Sequence, residues 1–188
     1  MIQDVLQKVS RDIETTFDNV NTWFEISIDL LDYTPSNNGW TIRQILEHIS
    51  LTNHYLLILI RKGAQKAIEK SKINSYQDLV TNYDLDWGGL EAISVHKSFA
   101  WSRPEHMEPT GKISLQQIKI KLQSQLEDCL SILNQMPNGE GVLYKTMMTV
   151  NSLGKIDVYH YIYFLVQHAK RHLSQMEKIK IEFQKSER

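Results

Sequence analysis

The sequence FLVQHAKRHLSQM, residues 164–176, carries the clearest fold signal in the chain. Its bulky apolar residues return at three- and four-residue spacing, which predicts a helix with one buried face. His168 and His172 are four positions apart, so a helix places both imidazole rings on one face, at the border of the apolar stripe. The stretch therefore predicts a core helix that directs two histidines toward a common point.

The same apolar spacing marks helices at the two ends of the chain. At the start it predicts a first helix over roughly residues 2–31, which ends before Pro35 and Gly39. At the other end, the opening stretch belongs to a fourth helix that begins near Asp157, a residue type that caps helices well.

Two internal helix starts are indicated by capping boxes, in which a hydroxyl residue and a glutamine three positions later bond each other's backbone. Thr41 with Gln44 opens the second helix, and Ser114 with Gln117 opens the third. Four long amphipathic helices predict an all-α fold, a four-helix bundle that forms one domain over residues 1–188. The scarcity of glycine and proline supports this prediction.

A long connection separates the second helix from the third. Residues 82–112 hold Trp87 and Trp101, with prolines, glycines and no sustained period. Connections of this length are uncommon in compact domains and are often functional. We therefore expect a crossover that either contributes to a site, with the tryptophans roofing a pocket, or only covers one end of the bundle.

Composition argues against several classes of function. The formal net charge is −1 and the basic residues are scattered, so neither nucleic acid nor an anionic membrane is expected as the main partner. The longest apolar run, YLLILI at residues 55–60, is too short for a membrane span. A single cysteine, Cys129, excludes an internal disulfide, and no signal peptide is visible. We expect a cytoplasmic protein in which Cys129 packs as a small apolar residue.

A third histidine completes a candidate metal site. The pair on the fourth helix can chelate zinc, nickel, copper or iron, if a further ligand comes from a facing helix. His48 is the best candidate, because it borders the apolar stripe of the second helix beside Ile45 and Thr52. His54 lies away from that stripe and is expected at the surface. The spacing also arises by chance, so the alternative is that these histidines are satisfied in other ways or face solvent.

Three segments resemble the DinB-like superfamily, whose members are four-helix bundles described as metalloenzymes. The segments are GWTIRQILEHI at residues 39–49, RPEHMEPTGKISLQQI at 103–118 and YHYIYFLVQHAKRHLSQM at 159–176. The resemblance spans nearly the whole chain in helix order and spacing. The family typically places one metal-binding histidine on the second helix and two on the fourth, which implies His48, His168 and His172 here. Relatives include bacillithiol- and mycothiol-type thiol transferases and a thiol-dependent isomerase, and others are described as metal-dependent hydrolases.

The implied metal site is open to a substrate. Three neutral histidines leave a coordination position free, whereas closed structural zinc sites have four protein ligands. A divalent ion there, zinc or nickel foremost, can lower the pKa of water, polarise a carbonyl group or stabilise a substrate thiolate. We expect an enzyme that acts on a small molecule, as a low-molecular-weight thiol S-transferase or as a hydrolase. The alternative is a non-catalytic bundle for stress-related interaction or metal binding, and a homodimer is expected in both cases.

Other polar and aromatic residues are expected to play structural roles. Glu47 points about 100° away from His48 and is expected to be a solvated surface charge. Arg171 is expected to brace a neighbouring helix through an ion pair. An ordinary packing or surface role is the default, and direct chemistry the alternative, for His96, His106, His160, Tyr159, Tyr161 and Tyr163.

Overall fold

The computed structural model describes residues 2–95 and 104–187, and this part of the chain is mostly helical. Its α-helices are α1 (Ile2–Thr22), α2 (Ile28–Leu31), α3 (Ile42–Ser71), α4 (Gln77–Thr81), α5 (Trp87–Ser94), α6 (Leu115–Gln135) and α7 (Val158–Ser186). Single turns of 3-10 helix cover Glu105–Met107, Glu140–Leu143 and Val150–Ser152. The all-α fold class is confirmed. No helix in the described ranges is long and apolar enough to cross a membrane.

Four long helices enclose the hydrophobic core. α1 packs against α6 and α7, and α3 packs against the same two helices. Apolar residues along these helices, such as Ile13 of α1 and Ile45 and Ile49 of α3, are fully buried. α7 is buried along most of its first half, where Tyr159 and Tyr163 pack in the core as expected. The helix that carries two of the candidate histidines is therefore an interior helix.

The predicted helix starts are confirmed by their hydrogen bonds. Gln44 N donates to Thr41 Oγ1 at 3.2 Å, and Thr41 N donates to Gln44 Oε1 at 3.0 Å. Ser114 and Gln117 form the same reciprocal pair. The carboxylate of Asp157 caps α7. Because these bonds satisfy backbone groups that a helix start leaves without partners, they determine where the helices begin and hence where their histidines lie.

The first helix is shorter than predicted. Instead of one helix over residues 2–31, α1 ends at Thr22 and a separate helix, α2, follows Ser27, whose hydroxyl caps it. Trp23 and Phe24 lie in the turn between them and are buried. Since apolar residues face the core on both sides of the break, their spacing does not reveal it.

The connection between α3 and α6 contains more regular structure than its sequence suggested. It includes α4, α5 and one 3-10 turn, and α5 packs on α7 with Leu90 and Ile93 fully buried. Trp87 packs edge-on against Tyr163, with ring centroids 4.9 Å apart. Trp101 lies outside the described residues, so its predicted role in roofing a pocket stays a prediction.

A short hairpin before α7 was not predicted. Its strands, β1 (Lys145–Met148) and β2 (Gly154–Asp157), pair antiparallel with Lys145 opposite Asp157. The hydroxyl of Tyr161, on α7, donates to the carbonyl oxygen of Met147 at 2.8 Å. This bond ties the hairpin to the first turn of α7, on the side where the histidines lie.

Candidate metal centre

Three buried histidines meet between α3 and α7. His48 Nε2 lies 3.3 Å from His168 Nε2, which lies 3.1 Å from His172 Nε2. The ligand atoms of all three residues are within 4.8 Å of one another, and the residues are 3%, 1% and 7% exposed. Two nitrogens bound to one tetrahedral zinc ion at about 2.0–2.1 Å are separated by about 3.3 Å. The structure thus brings together the histidines that the sequence singled out, at a spacing that suits a shared ion.

Two of the rings are oriented by acceptors behind them. His48 Nδ1 donates to the carbonyl oxygen of Met107 at 2.7 Å, and His172 Nδ1 donates to Gln175 Oε1 at 3.0 Å. Because these protons sit on Nδ1, both Nε2 atoms present lone pairs toward His168. Metal-binding histidines are usually held in this way by an acceptor on the opposite nitrogen. The donor set therefore fits a divalent ion, which would give the converging lone pairs a common partner.

His168 is the most deeply buried of the three histidines. Burial, followed by the nearby rings of His172 and His48 and the charge of Arg171, holds the pKa of its imidazole well below the usual range. Neutral imidazole is the form that binds metal ions. His168 consequently stays in its ligand form at a pH where an exposed histidine is protonated.

This lowered pKa predicts how the stability of the metal-free protein depends on pH. The unfolded chain protonates His168 near pH 6.5, whereas the folded chain keeps it neutral to lower pH. Below about pH 6.5 the free energy of unfolding should therefore fall by up to about 1.4 kcal/mol per pH unit, and above it this residue adds no slope. Chemical denaturation on both sides of that pH measures the slope. His168→Gln, which cannot titrate, should show a shallower dependence, and equal slopes would contradict the assignment.

A cavity of about 210 Å³ lies beside His48 and His168. Its wall is mostly apolar and includes three of the six methionines of the chain. Met147 and Leu59 in this wall are 56% and 39% exposed, so the cavity is open toward solvent. The other described lining residues are Thr52, Leu56, Pro104, Met107, Met148, Thr149, Val150, Tyr161 and Phe164. The histidine cluster thus adjoins a space that a small molecule can enter.

The prediction that Glu47 is a solvated surface charge is wrong. Glu47 is 1% exposed, and its carboxylate accepts hydrogen bonds from Thr110 N and Oγ1 at 2.9 Å each and from Gly111 N at 2.8 Å. Neighbouring helix positions do point in different directions, but the chain after Met107 covers the side of α3 that Glu47 faces. The hydrogen bonds of Glu47 and His48 therefore attach residues 107–111 to α3 at two points.

Arg171 braces a neighbouring helix, as predicted, through main-chain oxygens. Its guanidinium group donates to the carbonyl oxygen of Ile93 at 3.4 Å and to that of Val95. Both oxygens lie at the C-terminal end of α5, where a positive charge is favourable. Arg171 therefore positions α5 against α7 beside the histidines, and the predicted ion pair stays a prediction.

The other described histidines make surface or capping contacts. His54 is exposed, as predicted, and so is His106. His160 Nδ1 donates to Asp157 Oδ1 at 2.9 Å, which adds to the cap of α7. His96 lies outside the described residues. Within the described chain, the three clustered histidines are therefore the one group of side chains that could hold a metal ion.

Together, the helical fold and the histidine cluster define an all-α protein with a candidate three-histidine metal site. The chain belongs to the DinB superfamily, whose family model matches residues 12–176. This range contains all three histidines, and the match confirms the resemblance seen in the sequence. In the same comparisons, no curated protein and no solved structure matches the chain.

Proposed function

We propose that this protein is a four-helix-bundle metalloenzyme in which His48, His168 and His172 hold one divalent ion, zinc or nickel. The observation that carries the proposal is the convergence of their Nε2 atoms beside an open cavity. Three protein ligands leave a coordination position for a substrate atom. The contacts of α1 and α3 with both α6 and α7 support the bundle architecture.

The groups around the site have distinct roles. A bound ion supplies Lewis acidity to a substrate atom in the cavity. The carbonyl oxygen of Met107 and the side chain of Gln175 hold two imidazoles with their protons on Nδ1. The mostly apolar wall lowers the local polarity around a bound substrate, which strengthens electrostatic interactions between the site and that substrate.

The cavity favours thiol S-transfer over hydrolysis. Among its described lining residues none is Asp, Glu or Lys, so the wall offers no carboxylate or amine as a general base. A thiol substrate depends less on a general base than water does, because thiols ionise nearer to neutral pH. A nearby cation also favours the thiolate. In the proposed reaction the thiol loses its proton to solvent, its sulfur bonds to an electrophilic carbon, and the leaving group departs with the electron pair.

The thiol of the chain itself is not suited to this step. Cys129 is buried in α6, and burial raises the pKa of its thiol to about 12. A thiol of that pKa carries almost no thiolate at neutral pH. The nucleophilic sulfur is therefore expected to come from a low-molecular-weight thiol. The homodimer and the cytoplasmic location remain predictions.

Conjugation of a thiol to an electrophile tests the proposal. Zinc- or nickel-loaded protein should accelerate the reaction of cysteine with monochlorobimane, followed by fluorescence, and chelation or His168→Ala should abolish the acceleration. The ester p-nitrophenyl acetate serves as the hydrolase probe. Acceleration of the ester alone would favour hydrolysis. A fully loaded protein that accelerates neither reaction would contradict the enzymatic proposal and favour the non-catalytic alternative.

A further inference from the structure

The cavity beside the histidine cluster is walled by one side of α3 and by the hairpin before α7. Leu56 and Leu59 line it from α3, about two and three helical turns after the histidine of that helix. The hairpin contributes four consecutive residues, 147–150. The Tyr161 hydroxyl, on α7, fixes this stretch through its 2.8 Å bond to the carbonyl oxygen of Met147. The hairpin wall is therefore tied to the helix that carries two of the histidines.

The described wall is apolar and holds no fixed charge. Its leucine, methionine, valine, proline and phenylalanine side chains outnumber the others, and none of its described residues is Asp, Glu, Lys or Arg. His168 stays neutral near pH 7, because burial holds the pKa of its imidazole low. A charged group that leaves water for such surroundings loses its hydration without gaining an ionic partner. The wall therefore favours an uncharged apolar ligand over a charged one.

The size of the cavity and its lining distinguish between the two substrates of thiol S-transfer. A cavity of about 150 Å³ holds a benzene molecule. At about 210 Å³, this cavity has room for one ring and a short substituent, and its methionines make favourable contacts with aromatic rings. A low-molecular-weight thiol such as cysteine carries charged amino and carboxyl groups at neutral pH. An electrophile can be uncharged and apolar, so the electrophile is the substrate that suits this wall.

We propose that this cavity is the electrophile subsite, which takes an uncharged apolar group of about one aromatic ring and leaves the charged groups of the thiol in solvent. The naming of the ligand as an electrophile rests on the proposed enzymatic function. The preference for an uncharged ligand does not, since it requires only the cavity and its lining. The Met147 side chain is 56% exposed at the open side, so an entering molecule passes it. Met147 is therefore a specificity-determining residue of the subsite.

The methionines of the chain report where a ligand binds. Met107, Met147 and Met148 line the cavity, whereas Met136 and Met176 are buried in the core and do not line it. Ethylbenzene is added to the full-length protein with isotope-labelled methionine methyl groups, and nuclear magnetic resonance follows their signals. The ring should shift the three cavity signals and leave the two core signals unchanged. Benzylammonium, in which an ammonium group replaces the terminal methyl of ethylbenzene, should bind at least about tenfold more weakly.

Met147→Glu places a carboxylate at the open side of the cavity and should narrow this preference. Benzylammonium binding should tighten by about twofold to fivefold through the new ion pair, and ethylbenzene binding should weaken. Ile120→Glu is the matched control, because Ile120 on α6 is 57% exposed and does not line the cavity. It adds the same charge and should leave both affinities unchanged.

No binding of ethylbenzene to the wild type would overturn the proposal, and so would equal affinity for the two probes or shifts of the core methionines alone. If Met147→Glu behaves as Ile120→Glu does, Met147 does not determine specificity. Should Met147→Glu fail to fold, the wild-type signals and affinities decide the question.

An activity assay separates this proposal from the proposed function. Zinc-loaded protein is tested for conjugation of cysteine to benzyl bromide, in which the sulfur bonds to the benzylic carbon, bromide leaves with the electron pair and the thiol proton goes to solvent. Selective ethylbenzene binding without acceleration keeps the ligand preference of the cavity and contradicts the enzymatic function. Acceleration without selective binding does the reverse, so the two failures are distinguishable.

Discussion

Replacing Glu47 by alanine is expected to lower the free energy of unfolding of the metal-free protein by about 3 kcal/mol. The buried carboxylate accepts three hydrogen bonds from Thr110 and Gly111, and bonds to a charged acceptor are among the stronger ones in proteins. Alanine leaves two backbone N–H groups and a hydroxyl without this acceptor. Thermal unfolding should shift down by roughly 6–12 °C for a chain of this size.

Two further variants on the same helix serve as comparisons for Glu47→Ala. Glu47→Gln keeps the shape and one acceptor oxygen, so its loss should be smaller than that of alanine. Glu69→Ala removes an exposed carboxylate from α3 and should stay within about 0.5 kcal/mol of wild type. If Glu47→Ala is as stable as Glu69→Ala, the carboxylate does not anchor the segment that carries Met107.

Removal of a single histidine from the cluster is expected to weaken zinc binding by more than about 100-fold. Loss of an acceptor behind a ligand typically costs about 10–100-fold in metal affinity, and loss of the ligand itself should cost more. His172→Ala removes a ligand nitrogen, whereas Gln175→Leu removes only the acceptor of the His172 Nδ1 proton. We therefore expect Gln175→Leu to lose about tenfold. Competition with a chromophoric chelator measures both affinities.

His54→Ala is the matched control, because it removes an exposed histidine from the same helix as His48. Its affinity for zinc should equal that of wild type. The proposed site predicts the order His54→Ala, Gln175→Leu, His172→Ala, from strongest to weakest binding. Equal affinity of His172→Ala and wild type would show that zinc binds elsewhere.

The clustering of the three histidines could be predicted because its signals are local. Helix periodicity places His168 and His172 on one face, and the capping box at Thr41 sets the start of α3 and with it the direction of His48. The acceptor role of Gln175 follows the same logic, since it lies three positions after His172 on one helix, but this residue was not singled out.

The roles of Glu47 and Met107 had no such local signal. Helix geometry shows only that Glu47 diverges from His48, and the partners of its carboxylate come from residues more than sixty positions away. Met107 contributes a carbonyl oxygen, which every residue type possesses, so its identity says nothing about that bond. Tertiary contacts of this kind appear only when the path of the connection over α3 is known.

In the secondary structure, too, features with a local signal were predicted and features without one were missed. The starts of α3, α6 and α7 were predicted because a cap involves residues only three positions apart. The end of α1 was missed, since the chain turns while its apolar residues continue to face the core. The hairpin was missed because strands of four residues contain too few positions to show an alternating pattern.

Elemental mass spectrometry of the protein purified without a histidine tag tests the metal centre most directly. Wild type is measured beside His48→Ala and His172→Ala, with folding checked by circular dichroism. The proposed site predicts close to one zinc or nickel ion per chain in the wild type and a strong loss in both variants. Absence of metal from all three folded proteins, even after incubation with divalent ions, would contradict it.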